Sequence, residues 1–307
     1  MPILADRIAI VIPTIGRSDE LRRMLRSLAQ QTRLPDHVVI VDEAGEGNTL
    51  AHEFPALSIT VTTFPQGSAS AKRNRGVQHV APGIDLIGFM DDDIVLEPGA
   101  IEAMLIFWKN APPDAGGTSC NWMNQPPRYA SRLKSLRLVA WLGLYDARGG
   151  LVMRSGFQTV IGIVSETRCV QWLPSGAAVY PRRILEEYSF DEWFHGYSYL
   201  EDLDFSYTLG KKYKLAVVAN AQFHHYPSEI GRLDPYVFGK REVVNRLHFV
   251  RKHAELSPAL CAFALAVRAL MSIFLGVTRL ERAHLRRAWG NLAAVFLILT
   301  RGSGAVA

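Results

Sequence analysis

The stretch GFMDDDIVLEP, residues 88–98, places three carboxylates directly behind an apolar run. Mutual repulsion among Asp91, Asp92 and Asp93 and the poor strand propensity of aspartate both oppose such a sequence in a sheet. Residues two apart share a face of an extended chain, so Asp91 and Asp93 are expected to point one way and Asp92 the other. Converging carboxylates favour Mg²⁺ or Mn²⁺. The alternative is a solvated acidic turn before a helix, whose N-terminal dipole favours Asp and Glu.

Strand and helix patterns alternate through the residues around this stretch. Apolar, β-branched runs predict strands at residues 8–12, 38–41, 58–62 and 86–90. A helix capped by Ser18 or Asp19, with Leu21, Leu25 and Leu28 on one face, a second helix over residues 69–80 and a third with Pro98 in its first turn are predicted between and after them. This order indicates an α/β fold with a mixed, mostly parallel sheet flanked by helices, in which ligands bind beyond the carboxyl ends of the strands. Asp42 and the Asp triplet both follow predicted strands, so they are expected to face one crevice.

A second group of candidate functional residues lies further along the chain. Glu201 and Asp202 fall in an acidic stretch, and His224 and His225 follow about 20 residues later at the end of a predicted strand pair. A carboxylate beside a cation site can act as a general base, and a neutral imidazole is a common metal ligand. Taken alone, the acidic pair also fits surface charge, and a histidine in a strand also fits a hydrogen-bonded core residue.

Charge is distributed unevenly, although the net charge is only +5. Residues 230–307 hold 12 Lys and Arg against 4 Asp and Glu, whereas residues 1–229 hold 22 against 25. Asp234-Pro235 and Ser257-Pro258 each predict an N-cap followed by a first-turn proline, and the helix over residues 259–277 is apolar except for Arg268 and Ser272. A basic, apolar tail of this kind suggests an anionic partner.

A membrane surface fits the tail better than a nucleic acid does, because the tail lacks interleaved basic and aromatic residues. We expect its helices to lie in the interface, with Arg279, Arg282, Arg286 and Arg287 facing anionic headgroups. Packing on the remainder of the chain or an oligomer contact is the alternative. A basic amphipathic pattern at residues 128–145 predicts a second membrane contact or an ordinary helix on the sheet. Three scattered cysteines, with no signal-peptide pattern at the start, favour a reducing compartment, hence the cytoplasm, at the inner face of the membrane.

A set of motifs carries a resemblance to a known family. They are VIPTIGR (11–17), VVIVDEAG (38–45), GSASAKRNRG (67–76), FMDDD (89–93), WLPSGAAVYPRRIL (172–185), FDEWF followed by YLEDLDFSYTLGKKYKL (within 190–215) and AQFHHYP (221–227). Together, and in this order, they resemble the metal-dependent, inverting family 2 glycosyltransferases of the GT-A fold. The resemblance covers about residues 6–227. It implies a catalytic domain over residues 1–229, with a nucleotide-binding half to about residue 110 and an acceptor half beyond it, followed by a helical basic tail over residues 230–307.

The resemblance also implies roles for individual residues. Donor nucleotide binding falls to Thr14, Arg17, Asp42, Arg73 and Asp91. Mn²⁺ or Mg²⁺ binding falls to Asp93 and Asp91, with Asp93 the more direct ligand, and to His225 or His224 as a further ligand. Asp202 corresponds to the catalytic base, while Glu201, Trp172 and Gly176 would lie near the donor sugar and the acceptor. Relatives often carry an arginine shortly after the Glu-Asp pair, where this chain has Ser206-Tyr207-Thr208.

The implied activity is transfer of a sugar from a nucleoside-diphosphate sugar to a glycan or lipid-linked hydroxyl, in the assembly of cell-surface polysaccharide or glycolipid. UDP and dTDP sugars are expected before GDP sugars. A nucleotidyltransferase is disfavoured because IPTIGR replaces the glycine-rich loop usual after the first strand of that class. A non-catalytic, membrane-docked scaffold is disfavoured because Asp91, Asp93, Asp202 and His225 are all present.

Overall fold

The computed structural model describes residues 6–125 and 137–301. They form two compact units: a sheet unit of residues 6–125 and 161–231, and a helical unit of residues 137–160 and 232–301. The sequence had grouped residues 137–160 with the acceptor half, but they pack with the C-terminal helices. A Cβ on Gly156 would lie 2.2 Å from Val250 Cγ2, and the Ser257 amide donates to the Arg154 carbonyl at 2.7 Å.

The sheet unit is built on nine strands within the described residues. They are β1 Ile8–Thr14, β2 His37–Asp42, β3 Ile59–Thr63, β4 Leu86–Met90, β5 Ile94–Leu96, β6 Ala115–Trp122, β7 Arg168–Val170, β8 Ala177–Pro181 and β9 Lys214–His225. Their order is β3-β2-β1-β4-β8-β6-β9-β5, with β7 also paired to β9. Strands β1 to β4 are mutually parallel, as is β6 with β9, whereas β8 runs antiparallel to both β4 and β6. The predicted mixed α/β sheet is confirmed, and its parallel character is concentrated in the first four strands.

One predicted feature of the sheet is wrong. The segment ending in QFHHYP was expected to form a strand pair, but Lys214–His225 is one strand of 12 residues. Its residues 215–219 form a continuous buried run, and pairing with β6 continues past a register shift between Cys120 and Asn121. His225 therefore lies at the end of a strand that is anchored along its whole length.

Ten helices accompany these strands in the described residues. They are α1 Ser18–Ala29, α2 Gly47–His52, α3 Ala69–Gln78, α4 Ala100–Lys109, α5 Arg137–Trp141, α6 Arg182–Glu187, α7 Glu201–Gly210, α8 Pro235–Lys252, α9 Pro258–Thr278 and α10 Arg282–Arg301. One apolar layer packs α1 and α4 against one face of the sheet, and a second packs α6 and α7 against the other.

Two expected helix starts differ from the structure. Leu21, Leu25 and Leu28 are buried as predicted, but α1 begins after Arg17, without a side-chain cap from Ser18 or Asp19. Helix α4 begins after Gly99, so Pro98 precedes the helix, and its carbonyl instead accepts from the Thr32 amide at 2.8 Å. In both places the connection to the preceding strand determines where the helix begins.

The helical unit begins its first two long helices as the sequence predicted. Asp234 Oδ1 accepts from the Tyr236 amide at 2.9 Å, and Ser257 Oγ accepts from the Leu260 amide at 3.3 Å. Helices α8 and α10 approach closely at Gly290, where a Cβ would lie 2.0 Å from the Tyr236 carbonyl oxygen. Of the amphipathic helix predicted at residues 128–145, α5 is present over Arg137–Trp141, and residues 126–136 lie outside the described residues.

Candidate active site

The Asp triplet forms a turn between β4 and β5, at the carboxyl ends of the parallel strands. The Asp91 amide donates to the Gly176 carbonyl at 3.0 Å, which fixes the start of the turn. The expected alternation of the three side chains does not hold, because the chain here is turned and not extended. Asp92 and Asp93 share Arg17, with Nη1 lying 3.0 Å from Asp92 Oδ1 and 3.7 Å from Asp93 Oδ2. Asp91 faces a different partner.

Asp92 is a buried carboxylate that holds the end of β1. Thr14 Oγ1 donates to Asp92 Oδ2 at 2.7 Å, and Arg17 Nη2 donates to the Ile230 carbonyl at 2.7 Å while Nη1 binds Asp92. Burial raises the pKa of Asp92 to about 6, although Arg17 and Thr14 oppose the shift. Thr14 and Arg17, which the resemblance assigned to the nucleotide, thus order the acidic turn in this structure.

Asp93 lies against His225. His225 Nε2 is 3.1 Å from Asp93 Oδ1, and the Ser228 amide donates to Asp93 Oδ2 at 3.3 Å. Burial works against both charges, but the contact between the two side chains lowers the pKa of Asp93 and raises the pKa of His225. Asn124 holds the His225 backbone from both sides, with its Oδ1 accepting at 2.9 Å and its Nδ2 donating at 2.8 Å.

His224, the alternative left open by the sequence, points elsewhere. Its Nε2 lies 2.8 Å from Glu97 Oε1. Successive side chains of β9 point to opposite faces of the sheet, so the two histidines cannot both reach the triplet. The structure thus contains two separate carboxylate–histidine pairs, Asp93 with His225 and Glu97 with His224. Only the first pair adjoins the acidic turn.

Arg73 joins the triplet to the second acidic group. Its guanidinium is buried, with Nη2 3.0 Å from Asp91 Oδ1 and Nη1 2.8 Å from Glu201 Oε1. The guanidinium lies over the ring of Phe190, 5.5 Å from the centroid. Within the described residues, Arg73 Nε has no hydrogen-bond partner. One cation therefore compensates two carboxylates that are far apart in sequence.

Glu201 and Asp202 open helix α7. Leu200, directly before them, adopts a left-handed backbone conformation with φ of 80°, which aims the first turn of the helix into the site. Asp202 Oδ1 accepts from the Leu203 amide at 2.7 Å. Burial raises the pKa of both carboxyl groups, and the Asp202 charge raises the pKa of Glu201 further, while Arg73 opposes both shifts. A raised pKa is typical of a carboxylate that exchanges a proton near neutral pH.

Ser206 occupies the region where relatives often carry an arginine. Its Oγ accepts from the Leu173 amide at 3.0 Å and donates to the Asp202 carbonyl at 2.6 Å. Ser206 thereby connects α7 to the segment that carries Trp172, a half-buried residue packed on the second apolar layer.

Asp42 is buried, and its two oxygens accept from the amides of Ala44 at 2.9 Å and Gly47 at 2.7 Å. It orders the loop after β2.

Gly176 lets the Asp91 carboxylate approach the backbone. A Cβ at this position would lie 2.9 Å from Asp91 Oδ2, closer than such contacts occur in proteins. We expect Gly176→Ala to displace Asp91 from Arg73 and to lower kcat/KM by about 10- to 100-fold, since misplacement by about 1 Å can cost 10²-fold. Initial rates of the reaction that the family resemblance implies test this. Gly99→Ala is the control, because a Cβ there meets nothing within 4 Å; equal rates for both variants would contradict the argument.

Sequence reasoning missed Asn74, the residue after Arg73. Asn74 Nδ2 donates to the Phe190 carbonyl at 2.9 Å and to Glu192 Oε1 at 2.8 Å, while Oδ1 accepts from the Phe190 amide at 2.9 Å. This two-way contact holds the Phe190 ring under Arg73 and stacked on Phe205, at a centroid separation of 4.2 Å. No local sequence pattern indicates that Asn74 contacts Phe190, 116 residues further along the chain. The only signal was that Asn74 falls within the motif GSASAKRNRG at residues 67–76.

Asn74→Ala is expected to lower the free energy of unfolding by about 1–3 kcal/mol, because it leaves the buried Phe190 amide and carbonyl without their partner. Chemical denaturation measures this. Arg75→Ala, a change of the next residue on the same helix, is the control, since its side chain bonds the exposed Gln78 at 3.1 Å. A loss no larger than that of the control would show that the contact does not order the loop.

The acidic turn and His225 offer few side chains to a divalent cation. Within the described residues, no group of three or more His, Cys, Asp and Glu side chains is arranged to hold a metal. The Asp93 and His225 pair nonetheless fits Mg²⁺ or Mn²⁺, because these ions often take one or two protein ligands and fill the other positions with water and substrate phosphates. Asp91, about a third exposed and held by Arg73, lies beside the pair.

Comparisons with known proteins give a family match for part of this chain. Residues 9–158 match the family model described as glycosyl transferase family 2. The uncharacterized glycosyltransferase YwdF of Bacillus subtilis (strain 168) is 37% identical over 100 residues, which make up 32% of this chain and 37% of YwdF. The chain thus matches little more than a third of the length of this curated relative.

Two solved structures share the fold at 14% sequence identity. TarS 1–349 of S. aureus, in complex with UDP-GlcNAc, has a TM-score of 0.58 over 98% of this chain and 83% of its own. The mannosyltransferase PcManGT of Pyrobaculum calidifontis, in complex with GDP-Man and Mn²⁺, has a TM-score of 0.56 over 97% of this chain and 88% of its own. The family match places residues 9–158 in glycosyl transferase family 2, and the solved structures show that the chain has the GT-A fold.

Proposed function

We propose that this protein is a metal-dependent, inverting glycosyltransferase that moves a sugar from a nucleoside-diphosphate sugar to an acceptor hydroxyl. The observation that carries the proposal is the arrangement at the carboxyl ends of the strands. Asp93 with His225 lies on one side of Asp91, and Arg73 connects Asp91 to the Glu201-Asp202 pair on the other. A cation site, a buried guanidinium and a carboxylate of raised pKa are the parts that this reaction needs.

Asp93 and His225 would hold the Mn²⁺ or Mg²⁺ ion, with Asp91 at its edge. When bound, the ion neutralises the diphosphate and stabilises it as it leaves. Arg73 would orient the donor through Asp91 and add positive charge near the phosphates. Asp42, Thr14 and Arg17 would order the loops against which the base and ribose lie.

Asp202 would remove the proton from the acceptor hydroxyl as it attacks the anomeric carbon. Attack opposite the leaving diphosphate inverts the configuration, and the anomeric carbon gains oxocarbenium character on the way, as it does in glycoside hydrolysis. Glu201 keeps Arg73 in place, and Gly176 and Trp172 would border the sugar and the acceptor. General-base assistance of this kind contributes about 10²–10⁴-fold to the rate.

For the donor we propose a UDP or dTDP sugar ahead of a GDP sugar. TarS is solved with UDP-GlcNAc and PcManGT with GDP-Man, so the fold accepts both kinds of base in other proteins. For the acceptor we propose a glycan or lipid-linked hydroxyl at the cytoplasmic face of the membrane, in the assembly of surface polysaccharide or glycolipid. The basic, apolar character of residues 230–307 supports that location.

Thermal unfolding with UDP, dTDP, GDP and ADP, each with and without Mn²⁺ or Mg²⁺, tests the proposal. A ligand at about 100 times its Kd adds about 2.7 kcal/mol to the free energy of unfolding, which a scan detects readily. We expect one diphosphate to stabilise the protein only when a metal is added, and Asp93→Ala to remove the effect. If no nucleotide changes the midpoint with any metal, the site does not bind a nucleotide sugar and the proposal fails.

A further inference from the structure

The helical unit buries charged residues and exposes apolar ones. Glu242, on α8, is 1% exposed, and it accepts from Arg287 Nη2 at 2.7 Å and from Arg268 Nε at 3.2 Å. Arg246 and Asn291 are also buried, and Asn291 Nδ2 donates to the Gly239 carbonyl at 2.9 Å. In a water-soluble helix pair the polar side chains face outward and the apolar stripe faces the core. Here Glu242 and Arg246 are buried beside apolar residues such as Val243 and Phe249, while large apolar side chains are exposed.

The outer face of α9 is apolar over almost its whole length. Leu270 and Phe274 are each 65% exposed, and Val277 is 60% exposed. Helical spacing of three or four residues places these side chains on one stripe. The large apolar residues exposed on this helix are Phe263, Leu270, Met271, Ile273, Phe274 and Val277.

Helix α10 carries a second stripe of the same kind. Trp289 and Phe296 are each 66% exposed and Leu299 is 80% exposed, and Leu292 and Val295 lie between them. The two helices pack directly on each other, since a Cβ on Gly276 of α9 would lie 2.6 Å from Leu285 of α10. Soluble monomers rarely expose contiguous apolar patches beyond a few hundred Å². An apolar surface of this extent needs a partner.

Length and end charges identify that partner as lipid. Helix α9 has 21 residues, hence a length of about 31 Å at 1.5 Å per residue. It is the one described helix long and apolar enough, by length and composition, to cross a bilayer. Arg251 and Lys252 lie exposed before it, and Arg279 and Arg282 lie exposed after it. Basic groups at both ends of an apolar stripe complement the phosphates that border the acyl region of a bilayer.

The charges within the unit favour a position in the interface over a span. The Arg268 side chain is 47% exposed in the middle of α9, and a charged side chain at the centre of a bilayer is strongly unfavourable. The turn between α9 and α10 carries Arg279 and Glu281, and α10 begins with Arg282, so a spanning hairpin would have to carry these charges across the bilayer. Helices lying in the plane of the interface avoid both costs.

We propose that the outer faces of α9 and α10 dock this protein on a phospholipid bilayer by inserting their apolar side chains among the acyl chains. The main driving force is apolar burial, and attraction between arginine and anionic lipid is secondary. Two of the four arginines expected to face headgroups lie in α10 and are already paired within the unit, Arg287 with Glu242 and Arg286 with Asp234, each at 2.7 Å. This replaces the expectation that those arginines face anionic headgroups. The proposal goes beyond the proposed catalysis and does not depend on it.

Flotation of the full chain with vesicles tests the proposal without an activity assay. We expect binding to vesicles of pure phosphatidylcholine, retained in about 1 M NaCl, where the Debye length is only about 3 Å. We also expect the double change Leu270→Glu and Phe274→Glu to weaken binding by at least about 100-fold, because each side chain contributes about 1.5–3 kcal/mol of apolar burial. Both residues are exposed, and circular dichroism of the variant verifies that it folds.

Two further variants serve as controls. Ile106→Glu introduces the same charge at an apolar residue that is 57% exposed on α4 of the sheet unit, and it should leave vesicle binding unchanged. The double change Arg279→Gln and Arg282→Gln should weaken binding to phosphatidylcholine by no more than about threefold. Binding that requires anionic lipid and disappears in high salt would overturn the proposal. So would a protein that ignores vesicles and forms a dimer that Leu270→Glu with Phe274→Glu dissociates, since the faces would then cover each other.

Discussion

Replacing His225 by alanine is expected to abolish metal-dependent nucleotide binding, while the same change at the adjacent His224 leaves it intact. The two histidines are matched in type, strand and exposure, and each contacts one carboxylate. His225 Nε2 lies 3.1 Å from Asp93, and His224 Nε2 lies 2.8 Å from Glu97. Only Asp93 belongs to the acidic turn between β4 and β5. The pair of variants therefore separates loss of a metal ligand from loss of a strand histidine.

The expected size of the effect follows from coordination. Loss of a residue that only supports a metal ligand typically costs 10- to 100-fold in metal affinity. Loss of the ligand itself should cost at least about 100-fold. Calorimetric titration of Mn²⁺ in the presence of a nucleoside diphosphate measures this directly. Equal losses for His224→Ala and His225→Ala, or none for either, would contradict the assignment of Asp93 and His225 to the metal.

Asp202→Asn is expected to lower kcat by about 10²–10⁴-fold while nucleotide binding persists. Asparagine keeps the size of the side chain and an oxygen for the Leu203 amide, but it cannot accept a proton. Because burial raises the pKa of Asp202, the wild-type rate should fall as the pH drops through a value above the usual range of an aspartate. The deprotonated form is the active one, so the loss is on the acid side.

The pH profile of kcat and the thermal shift with donor nucleotide together measure this effect. If nucleotide stabilises the Asp202→Asn variant as fully as the wild type while kcat is lost, Asp202 acts as the base. A variant that loses nucleotide binding in proportion to its rate would instead show that Asp202 holds the donor. A wild-type rate that stays constant down to pH values near an ordinary aspartate pKa would contradict a raised pKa.

Local patterns in the sequence predicted the elements that depend on local chemistry. Buried β-branched runs located β1, β2 and β4, and Asp-Pro and Ser-Pro pairs located the starts of α8 and α9. These signals work because burial period and capping are properties of a few neighbouring residues. The acidic triplet was also visible from the sequence, because three adjacent aspartates after an apolar run are a property of a few neighbouring residues.

Contacts between distant segments were beyond such reasoning. Strand β8 lies antiparallel between β4 and β6, although it follows β4 by about 90 residues. The spacing of apolar residues within a short segment does not indicate which distant strand that segment pairs with. The bridge from Arg73 to Glu201 joins residues 128 positions apart. Arg17 contacts both Asp92 and Asp93 because the chain turns there, and that turn replaced the extended geometry on which the alternation depended.

The single guanidinium shared by Asp91 and Glu201 has a consequence for how this site can diverge. Removing Arg73 first would leave two carboxylates near one another without their cation, and breaking a buried ion pair from one side costs about 3–5 kcal/mol. Neutralising Glu201 first lowers the cost of the later loss of Arg73, so the effects of the two changes are not additive. The order of substitutions at positions 73 and 201 is therefore constrained. A lineage that exchanges Arg73 meets a smaller loss of stability if it first loses Glu201, the acidic residue that opens α7.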